Sequence, residues 1–146
     1  MKKILKTLID YSLFEKYDKD YFINNKILPL FENDISIKMA VCKNSKLETI
    51  KNDFNKVISF LEIDELELLF MISHIDQKTL LYSMALKAIS QNSFEKYVDK
   101  FLQELLSFSI NLRASDIHIE QYKDVILFKF RIDGRLKTFF AFYSEF

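Results

Sequence analysis

The sequence predicts an α+β protein. A small domain ordered helix, hairpin, helix, strand, helix is followed by a long helix and a three-stranded antiparallel sheet. Three observations carry this. Stretches with apolar residues at helical spacing interchange with stretches that alternate every second residue. Asp133-Gly134, a dipeptide favoured in two-residue hairpin turns, sits between two alternating runs. Fifteen Phe and seven Tyr in 146 residues supply enough apolar surface for a core at this length.

From about Ile4 to Asn25, Leu5, Leu8, Ile9, Leu13 and Tyr17 recur near helical spacing, with a break at Tyr11-Ser12 where the stretch can divide. Lys26 to Phe31 is a short strand, and Pro29, the only proline, confines it to an edge or a strand end. Glu32-Asn33-Asp34 is turn material, and Ile35 to Met39 alternates as the second strand of a hairpin. Ser45 is a candidate cap for an amphipathic helix carrying Leu47, Ile50, Phe54, Val57, Ile58 and Leu61. Glu65 to Ser73 has the length of a strand, and Asp76 opens a helix that runs to about Ser90.

Asn92-Ser93-Phe94-Glu95 has the spacing of a capping box. The long helix that follows is expected to turn Phe94, Val98, Phe101, Leu102, Leu105, Leu106, Phe108 and Leu112 inward, and Lys96, Asp99, Lys100 and Gln103 outward. A new layer begins there, which places the domain boundary near Gln91 and gives domains 1–91 and 92–146. In the last third, Asp116, His118 and Glu120 share one strand face and Ile117 and Ile119 the other. Ile126, Phe128, Phe130 and Ile132 line one side of the next strand, and Leu136 to Phe142 forms the third. A strict two-residue loop pairs Phe130 with Lys137; an odd-length loop matches Ile132 with Leu136 and Phe128 with Phe140, and that register is preferred because like meets like.

Composition excludes several functions. The chain holds 21 Lys and Arg against 21 Asp and Glu, a poor balance for a general nucleic-acid binder. Cys42 is the only cysteine, so neither an intramolecular disulfide nor a cysteine-rich zinc site can form; its apolar neighbours suggest a buried, inert thiol. No run reaches the ~18 apolar residues of a membrane span, so direct insertion is not expected. Gly134 is the only glycine. Walker loops and dinucleotide fingerprints need several, so that backbone amides can approach phosphates, and neither can be built from this chain alone.

Arg113-Ala114-Ser115-Asp116-Ile117-His118-Ile119-Glu120, followed by Lys129-Phe130-Arg131-Ile132-Asp133-Gly134, resembles the type II secretion and type IV pilus assembly ATPase family. In that family a helix ends in an Ala-Ser-Asp-Ile-His-Ile-Glu segment, and a basic strand and an Asp-Gly turn come after it. The resemblance covers about Phe94 to Lys137, and more loosely Leu13 to Met84, through Ile27-Leu28-Pro29-Leu30 and the alternating strand after it. It implies that 1–91 is a docking domain of the secretion-ATPase amino-terminal type, and that 92–146 is the first part of a second, PAS-like domain. It further implies a partner in a cytoplasmic part of an inner-membrane platform protein, and a cytoplasmic location peripheral to that membrane. ATP and magnesium, a P-loop domain and hexamer neighbours are expected of the full-length protein, with this chain a portion of it. Some relatives bind cyclic di-GMP through a glycine-containing motif, which this region lacks.

In the family, basic residues on the strand before the Asp-Gly turn reach toward ATP phosphates. The matching positions are Arg131 and Lys129, which share one strand face. Arginine grips phosphoryl oxygens with a planar fork and lysine only as a point charge, so Arg131 is the stronger candidate. Asp116, His118 and Glu120 project together, as metal ligands could, but a solvated polar strand face accounts for them more simply. His74 reads as a loop residue, and no catalytic residue is assigned in the chain itself. Two other readings remain: a stand-alone interaction adaptor without ATPase activity, and a single-strand nucleic-acid-binding sheet built on Lys129-Phe130-Arg131. Net neutrality and the burial expected of Phe130 weigh against the last.

Overall fold

A computed structural model describes residues 9–90, 94–123 and 125–143. The fold is α+β, with two three-stranded sheets. Its elements are α1 (Leu13–Lys16), α2 (Lys19–Asn25), β1 (Ile27–Glu32), β2 (Ser36–Val41), α3 (Leu47–Asp53), β3 (Val57–Glu62), α4 (Glu65–Ile72), α5 (Ile75–Ser90), α6 (Phe94–Asn111), β4 (Asp116–Tyr122), β5 (Val125–Ile132) and β6 (Arg135–Tyr143). They form two compact units, Met1–Ile75 and Asp76–Phe146. The division thus falls just inside the start of α5, whereas the new layer expected from the sequence begins near Gln91. Tyr82 of α5 stacks on Phe142 of β6 with ring centres 4.9 Å apart, which ties that helix to the second sheet.

In the first unit, Tyr11-Ser12 forms a turn where a break was expected, the residues before Ile9 lie outside those described, and the stretch divides again at Tyr17-Asp18. Asp10 accepts a hydrogen bond from the Ser12 backbone at 3.0 Å and starts α1. Tyr17 is extended, and Asp18 caps α2 by accepting from the Asp20 amide at 3.0 Å. The helix ends on Lys26, in the left-handed region at φ 53°. β1 and β2 form the expected antiparallel hairpin, closed by Asn33, whose side-chain oxygen accepts from the Ser36 amide at 2.8 Å. Pro29 lies on β1, an edge strand with an irregularity beside it, where its missing N–H is tolerated.

Two expectations are corrected. Val57–Glu62, expected to continue a helix, is a strand running parallel to β2, from Ser36 opposite Val57 to Val41 opposite Glu62. Asn55 and Lys56 break the helix, and from there exposure alternates, with Val57 and Ser59 out and Ile58 and Phe60 half-buried. Glu65–Ile72, expected as a strand, is α4, because Leu, Glu and Met are strong helix formers and β-branching is absent until Ile72. Nor does Ser45 cap α3. Its hydroxyl accepts from the Cys42 amide at 2.8 Å and bonds the Lys26 carbonyl, fastening the loop to the end of α2. The core gathers Phe22, Ile27, Ile37, Met39, Val41 and Ile50, with Tyr17, Tyr21 and Phe54 packed against it. Cys42 is buried and free, as expected.

In the second unit, α6 ends in a Schellman motif. The Ala114 amide donates to the Ser109 carbonyl at 2.9 Å, and Arg113 occupies the left-handed position at φ 56°. The Asn92-Ser93 cap lies outside the described residues. β4, β5 and β6 form an antiparallel meander. Its last turn has two residues, with Asp133 at φ 50° and Gly134 at φ 76°, the signs that a type I′ turn requires. Phe130 therefore pairs with Lys137, which corrects the odd-length loop. A bulge at Phe139 then shifts the ladder by one residue and delivers the expected Phe128–Phe140 pair.

The bulge gathers aromatic rings on one face, beneath α6. Phe130 and Phe139 stack at 4.6 Å, as do Phe128 and Phe140, while Phe108 of α6 stands edge-on to Phe139 at 5.6 Å. Phe139, Phe140, Ala141 and Phe142 of β6 are all buried. On α6, Leu105 and Phe108 point inward as expected, but Leu102 and Leu106 are exposed, at 41% and 53%. Among the described residues no helix is long and apolar enough to cross a membrane.

Candidate functional site

The face of the second sheet opposite α6 carries the predicted basic residues. Antiparallel register sets Asp116 opposite Arg131 and His118 opposite Lys129. The turn geometry after α6 fixes this register, since the Ser115 amide already donates to the Arg131 carbonyl at 2.9 Å. The acidic face of β4 therefore lies beside the basic face of β5, and the charges pair. Arg131 Nε reaches Asp116 Oδ2 at 3.2 Å, and Lys129 Nζ reaches Glu120 Oε2 at 2.5 Å. The Arg131 Nη1 also points to the Gly134 carbonyl at 3.4 Å.

Further hydrogen bonds lock both carboxylates. The Ser115 hydroxyl donates to Asp116 Oδ2 at 2.6 Å and the His118 ring bonds Oδ1. Together they hold the Asp116 carboxyl below its ordinary range, with Arg131 a smaller influence. Lys129 first, then the Tyr122 hydroxyl at 2.9 Å, lowers Glu120 in the same way. Water screens these pairs, so they orient the side chains more than they stabilise the fold. Lys129 keeps donors beyond the one Glu120 takes, and Arg131 keeps Nη hydrogens beyond its bond to Asp116. An anion above this face would meet two oriented cations, each shared with a carboxylate.

Asp116, His118 and Glu120 do project together, but the two carboxylates turn to cations and the His118 ring turns to Asp116. Among the described residues no three His, Cys, Asp or Glu side chains are grouped to hold a metal ion. His74 lies between α4 and α5 in the left-handed region at φ 55°.

A second feature had no counterpart in the sequence reading. In the first unit a cavity of about 620 Å³ opens between α2 and the end of α3, lined by Tyr17, Asp18, Tyr21, Asp53, Phe54 and Lys56. Beside it Glu32 accepts from Lys56 at 2.6 Å, Lys16 at 2.9 Å and the Tyr17 hydroxyl. Burial works to raise the Glu32 carboxyl, but these three donors prevail and bring it down to about 2. Tyr21 donates to Asp53 at 2.6 Å, and burial followed by that carboxylate pushes its hydroxyl up to about 12. The one available signal was the pair Asn55-Lys56, which marks a turn where helical periodicity had been extended through Phe54.

The chain matches no model of a known protein family, and no curated protein matches it in sequence.

Proposed function

We propose that the chain is the amino-terminal region of a traffic ATPase of the type II secretion and type IV pilus assembly kind, docking the motor onto a cytoplasmic part of an inner-membrane platform protein. On this reading Arg131, with Lys129 beside it, contributes positive charge to ATP phosphates held with magnesium by a P-loop domain elsewhere in the protein. The observation that carries the reading is the placement of the two segments behind the resemblance. Residues 113–120 and 129–134 fall on the consecutive strands β4 and β5, which lie side by side with Asp116 opposite Arg131. Both basic side chains stand on the sheet face away from α6, with Arg131 37% exposed and Lys129 19%.

A second reading has its own support. Each cation is already bonded to a carboxylate, which suits an interaction adaptor whose ladder only fixes the strands. Docking is tested by capture of the platform protein's cytoplasmic domain on the immobilised chain. Substitutions on the first unit's surface should weaken capture, and substitutions on the β4–β5 face should not. Equal loss from both sets, or capture that no first-unit change affects, overturns the docking assignment. The chain alone is expected to show no ATP turnover, because its only glycine is committed to the β5–β6 turn.

A further inference from the structure

One side of α6 carries an apolar ridge that the packing of its own unit does not use. Phe101 and Phe108 turn toward the second sheet, edge-on to Phe128 at 5.7 Å and to Phe130 at 5.8 Å, and Leu105 is buried with them. Lys100, Gln103, Ser107 and Asn111 make an exposed polar side. Between these two sides run Leu102, Leu106 and Ile110, the last of them 71% exposed. Their four-residue spacing sets all three on one line about 12 Å long. Single exposed apolar residues are ordinary, but three in line along a helix make a contact surface.

The charges at the ends of the ridge indicate what it meets. Asp99, one turn before Leu102, and Arg113, just past the helix end at φ 56°, are both exposed. Among the described residues neither side chain is in an ion pair. Both stand seven positions from Leu106, just as Leu102 and Ile110 both stand four from it. A ridge with opposite charges at equal distances from its centre is complementary to its own reverse. A second α6 lying antiparallel, with a two-fold axis at Leu106, sets Leu106 against its counterpart, Leu102 against Ile110, and Asp99 toward Arg113 at both ends. Parallel packing would bring Asp99 to Asp99 instead. We propose that α6 is a self-recognition surface that pairs two copies of this chain antiparallel through Leu102, Leu106 and Ile110. The interface is small, so the association is weak and depends on concentration. The inference does not depend on the function proposed above.

Sedimentation velocity of the chain from about 10 μM to about 1 mM tests this, and a monomer–dimer equilibrium is expected in that range. Leu106→Glu places two carboxylates at the two-fold axis and should weaken dimerisation at least about tenfold. Asp99→Arg and Arg113→Asp should each weaken it severalfold by setting like charges opposite one another. The two together should restore it, because the exchange leaves the ends complementary. All three positions are exposed, so each variant should keep its fold, which circular dichroism checks. Should Leu106→Glu unfold, the charge exchange decides alone. A chain still monomeric at about 1 mM assigns the ridge to some other occupant and overturns the proposal. So does a dimer that a folded Leu106→Glu leaves intact, or a double exchange that dimerises no better than either single one.

Discussion

Arg131 separates the two functional readings. In a complete ATPase carrying this region, Arg131→Ala should lower turnover by roughly one to three orders of magnitude if its guanidinium meets transition-state charge. Lys129→Ala should cost less, and unchanged turnover in the Arg131 variant would leave only the ladder with Asp116. Lys78 makes a different kind of prediction. It is fully buried, its ammonium 5.1 Å from the Phe139 ring centre, and burial pushes its pKa down from 10.5 to about 7. Between those two values the unfolded chain holds the proton more often than the folded one, so stability should rise with pH across that window. Below about pH 7 the full cost of burying charge applies, at about 1.4 kcal/mol per pKa unit. Relative to the parent chain, the urea midpoint of Lys78→Met should therefore stand highest at about pH 6, and that advantage should shrink as pH climbs toward 10. An advantage constant with pH would show that the side chain's charge is not the cause.

Strands and helices were unequally legible, for reasons that lie in particular residues. β4 to β6 could be read because Asp116 to Glu120 and Val125 to Ile132 alternate and an Asp-Gly pair marks the turn. Ile50, Phe54, Val57, Ile58 and Leu61 satisfy a helical template, and only the turn at Asn55-Lys56 and the β-branched pair Val57-Ile58 hint that the chain has become a strand. The site was half legible. Alternation placed Lys129 and Arg131 on one face, but their carboxylate partners depend on register, which no local pattern fixes. The Tyr17–Tyr21–Phe54 cavity joins residues from separate elements, and the turn at Asn55-Lys56 is its one local trace. The bulge was missed because it reconciles two registers that appeared exclusive. It also makes one residue of β6 surplus to the ladder. Deleting Phe139 should keep both flanking registers and cost about what Phe139→Ala costs, roughly 3–5 kcal/mol for a buried Phe. Deleting Phe130 from β5 should unfold the sheet, since every side chain beyond it would change face. Thermal melts of the three variants check this.

At the scale of the whole molecule, each unit has its own sheet and its own aromatic core. Phe130→Ala should raise amide exchange throughout β4 to β6 and leave β1 to β3 protected; exchange rising equally in both sheets would show one cooperative core. The two sheets also differ in how far apart in sequence their partners lie. β5 and β6 are joined by two turn residues, whereas the parallel pair β2 and β3 must first enclose α3, since parallel strands cannot be closed by a hairpin. Closing the longer loop costs more chain entropy before any contact repays it. Refolding from denaturant should therefore have an order in time. Pulsed hydrogen exchange should find the β5 and β6 amides protected first and those of β3 last, so that the carboxy-terminal sheet is already formed while the amino-terminal one is still searching for its third strand.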